Sequence, residues 1–376
     1  MSSITKIFSL LILVFIFSCS SYRNHLKNVL NSTNPKIKGV MDNAKQHELQ
    51  IIYTEIIRDK NGKVSFKDYT YNLNTTNYFY PASTIKLPIA ILALEKLNTI
   101  DNTSVNTEFS IEGNNEKLKF ADEISKVFAV SDNVASTNLF EFIGFDYINQ
   151  KMIEKGLSPF RMSHRLSGVD PRNPLVKSTT LFKEDQVLIE FPSKLNQEVT
   201  ALKLSGTHKG IGYLNGEGKM VNESFDFSKR NYYPLQSLHS TLKRIVFPEA
   251  FKEEERFKIT ENDRQFLLYS MQNLPKNAGY NSTEYYDGYC KFLMFGDTQE
   301  NIPPSIKIYN KVGNAYGTMI DCAYIVDAEN KIEFMLSATI IANNNGIFND
   351  NVYEYDTVSL PFLAELGRQL YERNKR

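Results

Sequence analysis

The spacing of apolar and polar positions changes several times along the chain, and each change marks an element. Residues 49–57 and 64–72 are rich in β-branched and aromatic side chains and flank a polar stretch containing Asn61-Gly62. Asn-Gly fits the left-handed positions of a tight turn, so this pattern predicts a β-hairpin. From about residue 83 to 156 the spacing becomes helical. Ile85, Ile89, Leu92, Leu94 and Leu97 mark one segment, and Ile148, Met152 and Ile153 mark another that Gly156 can cap. Residues 174–230 mix short strand-like runs with Gly206, Gly210, Gly212, Gly216 and Gly218, and read as an insertion. Helical spacing returns at 235–247 and 263–274. Strand-like runs follow at 305–311, 318–328 and 332–342, the last two joined into a hairpin by Glu329-Asn330, before a final amphipathic helix at about 357–373. Strands near both ends with helices between them imply an α+β chain. Its two ends meet in one antiparallel sheet, beside a mainly helical subdomain at about 90–300. No internal repeat is visible.

Composition narrows the class. Of 376 residues, 42% are apolar and 23% charged, with 25 Phe, 21 Tyr and no Trp. That excludes a disordered, collagen-like or coiled-coil chain. Basic and acidic residues balance at 43 each, which leaves no electrostatic footprint for nucleic acid and no polybasic membrane patch. Cys19, Cys290 and Cys322 are too few and too scattered for a disulfide framework or a zinc knuckle, and the five His form no HxH or HExxH pair. No metal or other cofactor is expected.

The N-terminus carries its own signal. Lys6 precedes an apolar run over 7–17 broken only by Ser9. Eleven helical residues span about 17 Å, roughly half a hydrocarbon core, so the run predicts a signal peptide over 1–18 rather than a membrane span. Ile16-Phe17-Ser18-Cys19 is similar to a bacterial lipobox, which implies cleavage before Cys19 and acylation of its thiol; an ordinary signal peptide with a coincidental Cys is the alternative. The Asn-, Ser- and Lys-rich stretch over 19–45 then reads as a tether. It would hold a domain at 46–376 against the bacterial cell envelope, with the lipid as its only membrane contact.

Candidate chemistry begins at Ser83-Thr84-Ile85-Lys86. A Ser in the first turn of a helix with Lys three residues later puts hydroxyl and amine on one face. There an amine of lowered pKa can take the proton as Ser attacks. The helix that follows is apolar nearly all round and would desolvate Lys86. A helix N-cap Ser with a surface Lys is the alternative reading. Ser131-Asp132-Asn133 lies between two amphipathic segments, where it can present a hydroxyl and an amide to a cleft or simply cap the next helix. Lys311-Val312-Gly313 ends the run 306–310, and its Gly permits close approach of the backbone to a ligand.

In this order the three elements resemble the motifs of the serine β-lactamase and penicillin-binding protein superfamily, most nearly the class A β-lactamase-like enzymes, whose motifs are S-x-x-K, S-D-N and K-T-G. The resemblance covers about residues 46–376. It implies an acylated Ser83, with Lys86 as its proton acceptor or relay, and Ser131 shuttling the proton to the leaving nitrogen. Asn133 would hold Lys86 and the substrate's side-chain amide. Lys311 and Gly313 would border the substrate, with Lys311 attracting its carboxylate, and the backbone N–H groups of Ser83 and Asn314 would form the oxyanion hole. The implied ligand is a small β-lactam or a peptidoglycan peptide.

Three departures shape the expectation. Val312 replaces a hydroxyl residue; losing a hydrogen bond to a charged group costs about 1.5–3 kcal/mol, or roughly tenfold to a hundredfold in affinity. The segment 165–173 has no Glu to activate the deacylating water, and Asp170 is the only carboxylate in place. It is a candidate general base or a turn residue before Pro171. The insertion at 174–230 has no counterpart in compact class A enzymes. The leading expectation is β-lactam hydrolysis through an acyl-serine. The alternatives are a D-Ala-D-Ala peptidase or other cell-wall amidase, and a catalytically silent binding protein.

Overall fold

A computed structural model describes residues 24–375 except 115. The expected signal peptide and the Cys19 lipidation site lie outside the described residues.

One antiparallel sheet of five strands organises the chain. Its strands are β1 (Gln50–Arg58), β2 (Val64–Tyr71), β3 (Ile306–Ala315), β4 (Thr318–Asp327) and β5 (Ile332–Ile341), in the spatial order β3-β4-β5-β1-β2. Both ends of the chain therefore meet in it, as the strand runs imply. Side chains alternate across it: Ile51, Tyr53, Phe334 and Leu336 enter one core, while Ile52, Ile320, Cys322 and Met335 enter the other. The first core lies under α1 (His25–Leu30), α2 (Pro35–Met41) and the terminal helix α9 (Leu360–Asn374). The second lies under a helical subdomain of α3 (Lys86–Leu97), α4 (Phe120–Ala129), α5 (Asn133–Ile143), α6 (Phe145–Glu154), α7 (Leu235–Val246) and α8 (Glu261–Gln272). Helix α3 runs through its middle, with every residue but Lys96 buried.

The structure corrects two sequence expectations. Residues 24–45 are not a tether: Asn24 and Asn34 cap α1 and α2 by accepting from Lys27 N and Lys36 N, each at 2.9 Å. Leu26, Val29, Leu30, Ile37 and Val40 are buried. These apolar positions recur at helical spacing inside an otherwise polar composition. Secondly, Lys311-Val312-Gly313 lies within β3 rather than at its end. The strand runs on to Ala315 and turns at Tyr316-Gly317, both with positive φ (54° and 75°), as a two-residue hairpin of matching twist requires.

The stretch 174–230 divides. Thr179–Lys183 and Gln186–Phe191 join Glu108–Ile111 and Leu118–Lys119 in a four-stranded sheet. The later part crosses to the C-terminal region, where Gly212–Leu214 pairs in parallel with Ile347–Phe348. Cys290 and Cys322 are separate buried thiols.

Candidate active site

Ser83 sits in a single 3-10 turn, Ala82–Ile85, that leads directly into α3. In such a turn residues three apart eclipse, so the Lys86 side chain rises beside Ser83. The backbone before the serine is held in a costly state: Ala82 has φ 46°, a left-handed conformation that costs a residue with a Cβ roughly 1–2 kcal/mol. It is held there partly by Thr84, whose Oγ1 donates to Pro81 O at 2.6 Å. The edge strand β3 packs against this turn. A Cβ at Gly313 would lie 2.7 Å from Ser83 N and 2.9 Å from Thr84 N, so only glycine lets the strand approach so closely.

Lys86 is fully buried. Its Nζ donates to Ser131 O at 2.5 Å and to Asn133 Oδ1 at 2.6 Å, and it lies 3.4 Å from Ser131 Oγ. Burial, reinforced by the positive charge of Lys311, lowers its pKa to about 6. A neutral amine has two N–H groups and one lone pair. The two acceptors use both N–H groups, which leaves the lone pair for a proton. None of these three contacts is to Ser83; such bonds often tighten only in the complex with substrate.

Ser131 connects the two lysines. It too has a left-handed backbone, φ 58°, at the break between α4 and α5, and its Oγ accepts from Lys311 Nζ at 2.7 Å. Lys311 also donates to Val312 O at 2.9 Å. Burial lowers its pKa to about 8, which leaves it mostly cationic at neutral pH. Asp132 between them caps α5, accepting from Ala135 N at 2.8 Å. The tripeptide is thus a helix cap and a contributor to the site at once. Beneath Lys311, Asn310 donates to Asp321 Oδ1 at 2.8 Å and accepts from Lys291 Nζ at 2.7 Å, and this buried group holds β3 to its neighbours.

Ser83, Asn133 and Asn314 line one cavity of about 560 Å³. The structure therefore gathers Ser83, Lys86, Ser131, Asn133, Lys311, Gly313 and Asn314 at one place. It does not bring Asp170 there. That residue is exposed in a turn, its backbone carbonyl accepting from Asn173 N at 3.2 Å, and the cavity lining contains no carboxylate. The neighbouring Leu166 lines the cavity instead. Residues without a motif complete it: Tyr80, Ala82, Ala315, Tyr316, Asn349, Asn351, Tyr353 and Tyr355. The only sequence signal for the last four was a run of Asn and Tyr after β5. Among the described residues, no group of three or more His, Cys, Asp or Glu could hold a metal ion.

Comparisons with known proteins bear on the fold. Residues 33–187 match the profile of the beta-lactamase enzyme family. Among solved structures, a beta-lactamase from Sphaerobacter thermophilus DSM 20745 is similar at 10% identity and TM-score 0.52, covering 93% of this chain and 96% of that one. One from Desulfarculus baarsii DSM 2075 has 11% identity and TM-score 0.51, covering 92% and 96%. A structure of L2 complexed with relebactam has 12% identity and TM-score 0.50, covering 93% and 98%. A comparison with curated proteins finds no match. Likeness at such identities is a likeness of fold. The chain thus has the fold of these β-lactamases, and its residues 33–187 match the profile of the β-lactamase enzyme family.

Proposed function

We propose that this protein is a serine hydrolase that opens β-lactam amides through an acyl-Ser83 intermediate and releases the acyl group slowly. The observation that carries the reading is the placement of Lys86, buried three residues after Ser83 with its Nζ held by Ser131 O and Asn133 Oδ1. Ser83 Oγ attacks the lactam carbonyl and its proton passes to Lys86. The oxyanion collects at the backbone N–H groups of Ser83 and Asn314. As the C–N bond breaks, Ser131 gives its proton to the leaving nitrogen and regains one from Lys86, while Lys311 stabilises the Ser131 oxygen. Water must then hydrolyse the Ser83 ester, and no carboxylate lines the cavity to activate it. A general base is typically worth about 10²–10⁴-fold, so the adduct accumulates.

Intact mass spectrometry after incubation with benzylpenicillin tests this. An adduct equal to the whole penicillin, absent in Ser83→Ala and long-lived in the native chain, is the expected result. No adduct and no hydrolysis would overturn the reading.

A cavity lining without a carboxylate and a buried Val312 without a hydroxyl fit a second reading equally well: a D-Ala-D-Ala peptidase or other cell-wall amidase using the same residues. Release of D-alanine from a D-Ala-D-Ala peptide would select it. A silent binding protein has no need of a neutral amine beside a hydroxyl. We further propose, from the lipobox-like 16–19, that an acylated Cys19 anchors the domain at the bacterial cell envelope. Cys19→Ala protein should then leave the membrane fraction, and unchanged partitioning would remove the anchor.

A further inference from the structure

Strand β3 divides the site into two sides. Gly313 touches the Ser83 turn, Lys311 before it joins Ser131, and Asn314, Ala315 and Tyr316 after it line the cavity. At a rise of roughly 3.3 Å per residue, Lys311 and Tyr316 are on the order of 16 Å apart. If Ser131 protonates the leaving nitrogen on the Lys311 side, the acyl group extends the opposite way, into the cavity.

That cavity is lined mainly by neutral polar and aromatic side chains. Of its twelve residues, four are Tyr (80, 316, 353, 355), four are Asn (133, 314, 349, 351), and none is charged. The side-chain amides of Asn314 and Asn351 and the hydroxyl of Tyr316 have no hydrogen-bond partner among the described residues, so they are available to a ligand. The Lys311 ammonium lies on the other side of Gly313, with Ser131, and further charges lie behind the lining. Asp350 acts on Tyr353 and is itself engaged by Asn345 Nδ2 at 2.7 Å, and Arg230 lies 5.6 Å over the Phe225 ring.

The far wall is built by two segments that no motif contains. In the 343–355 segment, Tyr353 Oη accepts from Asn349 N at 2.9 Å and Tyr355 Oη accepts from Gly317 N at 2.8 Å. The insertion braces it. Ile211 N donates to Gly346 O at 2.8 Å, and Asn349 Nδ2 donates to Leu214 O at 3.1 Å. Phe225 and Phe227 back Tyr316, each with ring centres 5.4 Å away, and Phe227 lies 5.3 Å from Phe348. Gly210 is where the segments meet: a Cβ there would lie 2.3 Å from Gly346 O.

We propose that this pocket receives an uncharged, ring-bearing acyl group, and that the later half of the insertion determines this selectivity by holding the pocket's far wall. The proposal rests on the acyl-Ser83 reading. Tyrosine faces pack against a ring, and free amides bond to neutral hydroxyl or amide groups. A carboxylate on the acyl side would lose water and find no cation in the lining to pair with.

The test compares acylation of the full chain by benzylpenicillin and by carbenicillin, which adds a carboxylate at the acyl-side carbon. Benzylpenicillin should react at least about tenfold faster, a preference in keeping with the cost of burying an unpaired charge. Asn351→Arg should narrow or reverse the ratio, and so should Gly210→Ala, which pushes the insertion off the 346 turn. Equal rates in the native chain, or a ratio unmoved by Asn351→Arg, would overturn the selectivity. A ratio unmoved by Gly210→Ala would remove the insertion's part in it. Asn351 is exposed, so its variant keeps the test available if Gly210→Ala does not fold. If neither penicillin acylates Ser83, the acyl-enzyme reading fails separately. Saturation-transfer NMR on Ser83→Ala with phenylacetamide and phenylmalonic acid monoamide then decides the pocket: signal from the neutral fragment alone upholds the proposal, and equal signals or none overturn it.

Discussion

A lysine ammonium withdrawn from water loses hydration that only nearby acceptors or anions can replace. Around Lys86 the acceptors are neutral and the nearest partner in the relay is another cation, so its proton is held weakly, with a pKa of about 6. Lys311 keeps its own proton to about 8. Acylation requires the first amine neutral and the second charged. The rate of penicillin labelling should therefore rise as pH increases through about 6 and fall above about 8. Removing Lys311 with Lys311→Ala should abolish the alkaline limb and move the acid limb upward, because the charge that helps to depress Lys86 is gone. Lys86→Ala should slow labelling at neutral pH by about 10²–10⁴-fold, the usual worth of a general base. A labelling rate that is flat between pH 5 and 9 would remove both assignments. Asp170 stands apart from this chemistry. It is exposed and outside the cavity lining, so Asp170→Asn should leave decay of the acyl-enzyme within a few-fold of the native rate, as measured by loss of the mass adduct.

At the scale of elements, the segment that carries Leu166 into the cavity has few regular hydrogen bonds and depends on one buried ion pair. Arg165 Nε donates to Glu141 Oε1 at 2.5 Å, and its two terminal nitrogens reach Asn173 O and Leu175 O at 2.6 and 2.7 Å. Glu141 Oε2 also accepts from Lys177 N at 2.9 Å. Arg165→Ala would leave a buried carboxylate unpaired together with two carbonyls. Breaking a buried pair from one side costs about 3–5 kcal/mol, and equilibrium urea unfolding should show a loss of that order. A loss under about 1 kcal/mol would mean that water has replaced the guanidinium. Neither this pair nor the Tyr–Asn wall was legible in the sequence, because each joins residues far apart in the chain through contacts that have no local period. The β1–β2 hairpin, α3 and the β4–β5 hairpin were legible, since burial imposes a period of two or of 3.6 on their side chains. Helices α1 and α2 carry that period as well. Only about five apolar positions show it, and the Asn and Lys around them gave the stretch the composition of a linker.

For the molecule as a whole, the sheet is clamped between two cores, and the histidines buried among them link stability to pH. His239 lies against the sheet, its Nε2 2.7 Å from Thr54 Oγ1 and its Nδ1 2.6 Å from Ser337 Oγ. Burial, assisted by Lys243, pushes its pKa far below the ordinary value of 6.5, although Asp68 opposes the shift. His164 stacks on Tyr80 behind the cavity, and burial lowers its pKa to about 4. Both are therefore neutral in the fold but bind a proton near pH 6.5 once the chain unfolds. A depressed folded pKa means that the stabilisation is complete above about 6.5 and is lost as pH falls towards the folded values. Each ring should contribute a slope of about 1.4 kcal/mol per pH unit below about pH 6. Carboxylates bound in ion pairs, such as Asp297 with Arg368 and Lys36, enter only in the more acid range where they take up protons. Buried Asp321 opposes the histidines, because burial raises its pKa to about 6 and the fold takes up its proton before the unfolded chain does. Urea unfolding between pH 6 and 4.5 should then show stability falling by about 1–2 kcal/mol per unit. His239→Gln lowers stability at every pH, but it should also reduce that slope by about 1.4 kcal/mol per unit, which a merely structural loss would not do. A slope unchanged in the variant would mean that His239 is already protonated in the folded chain, with Asp68 as its counter-charge.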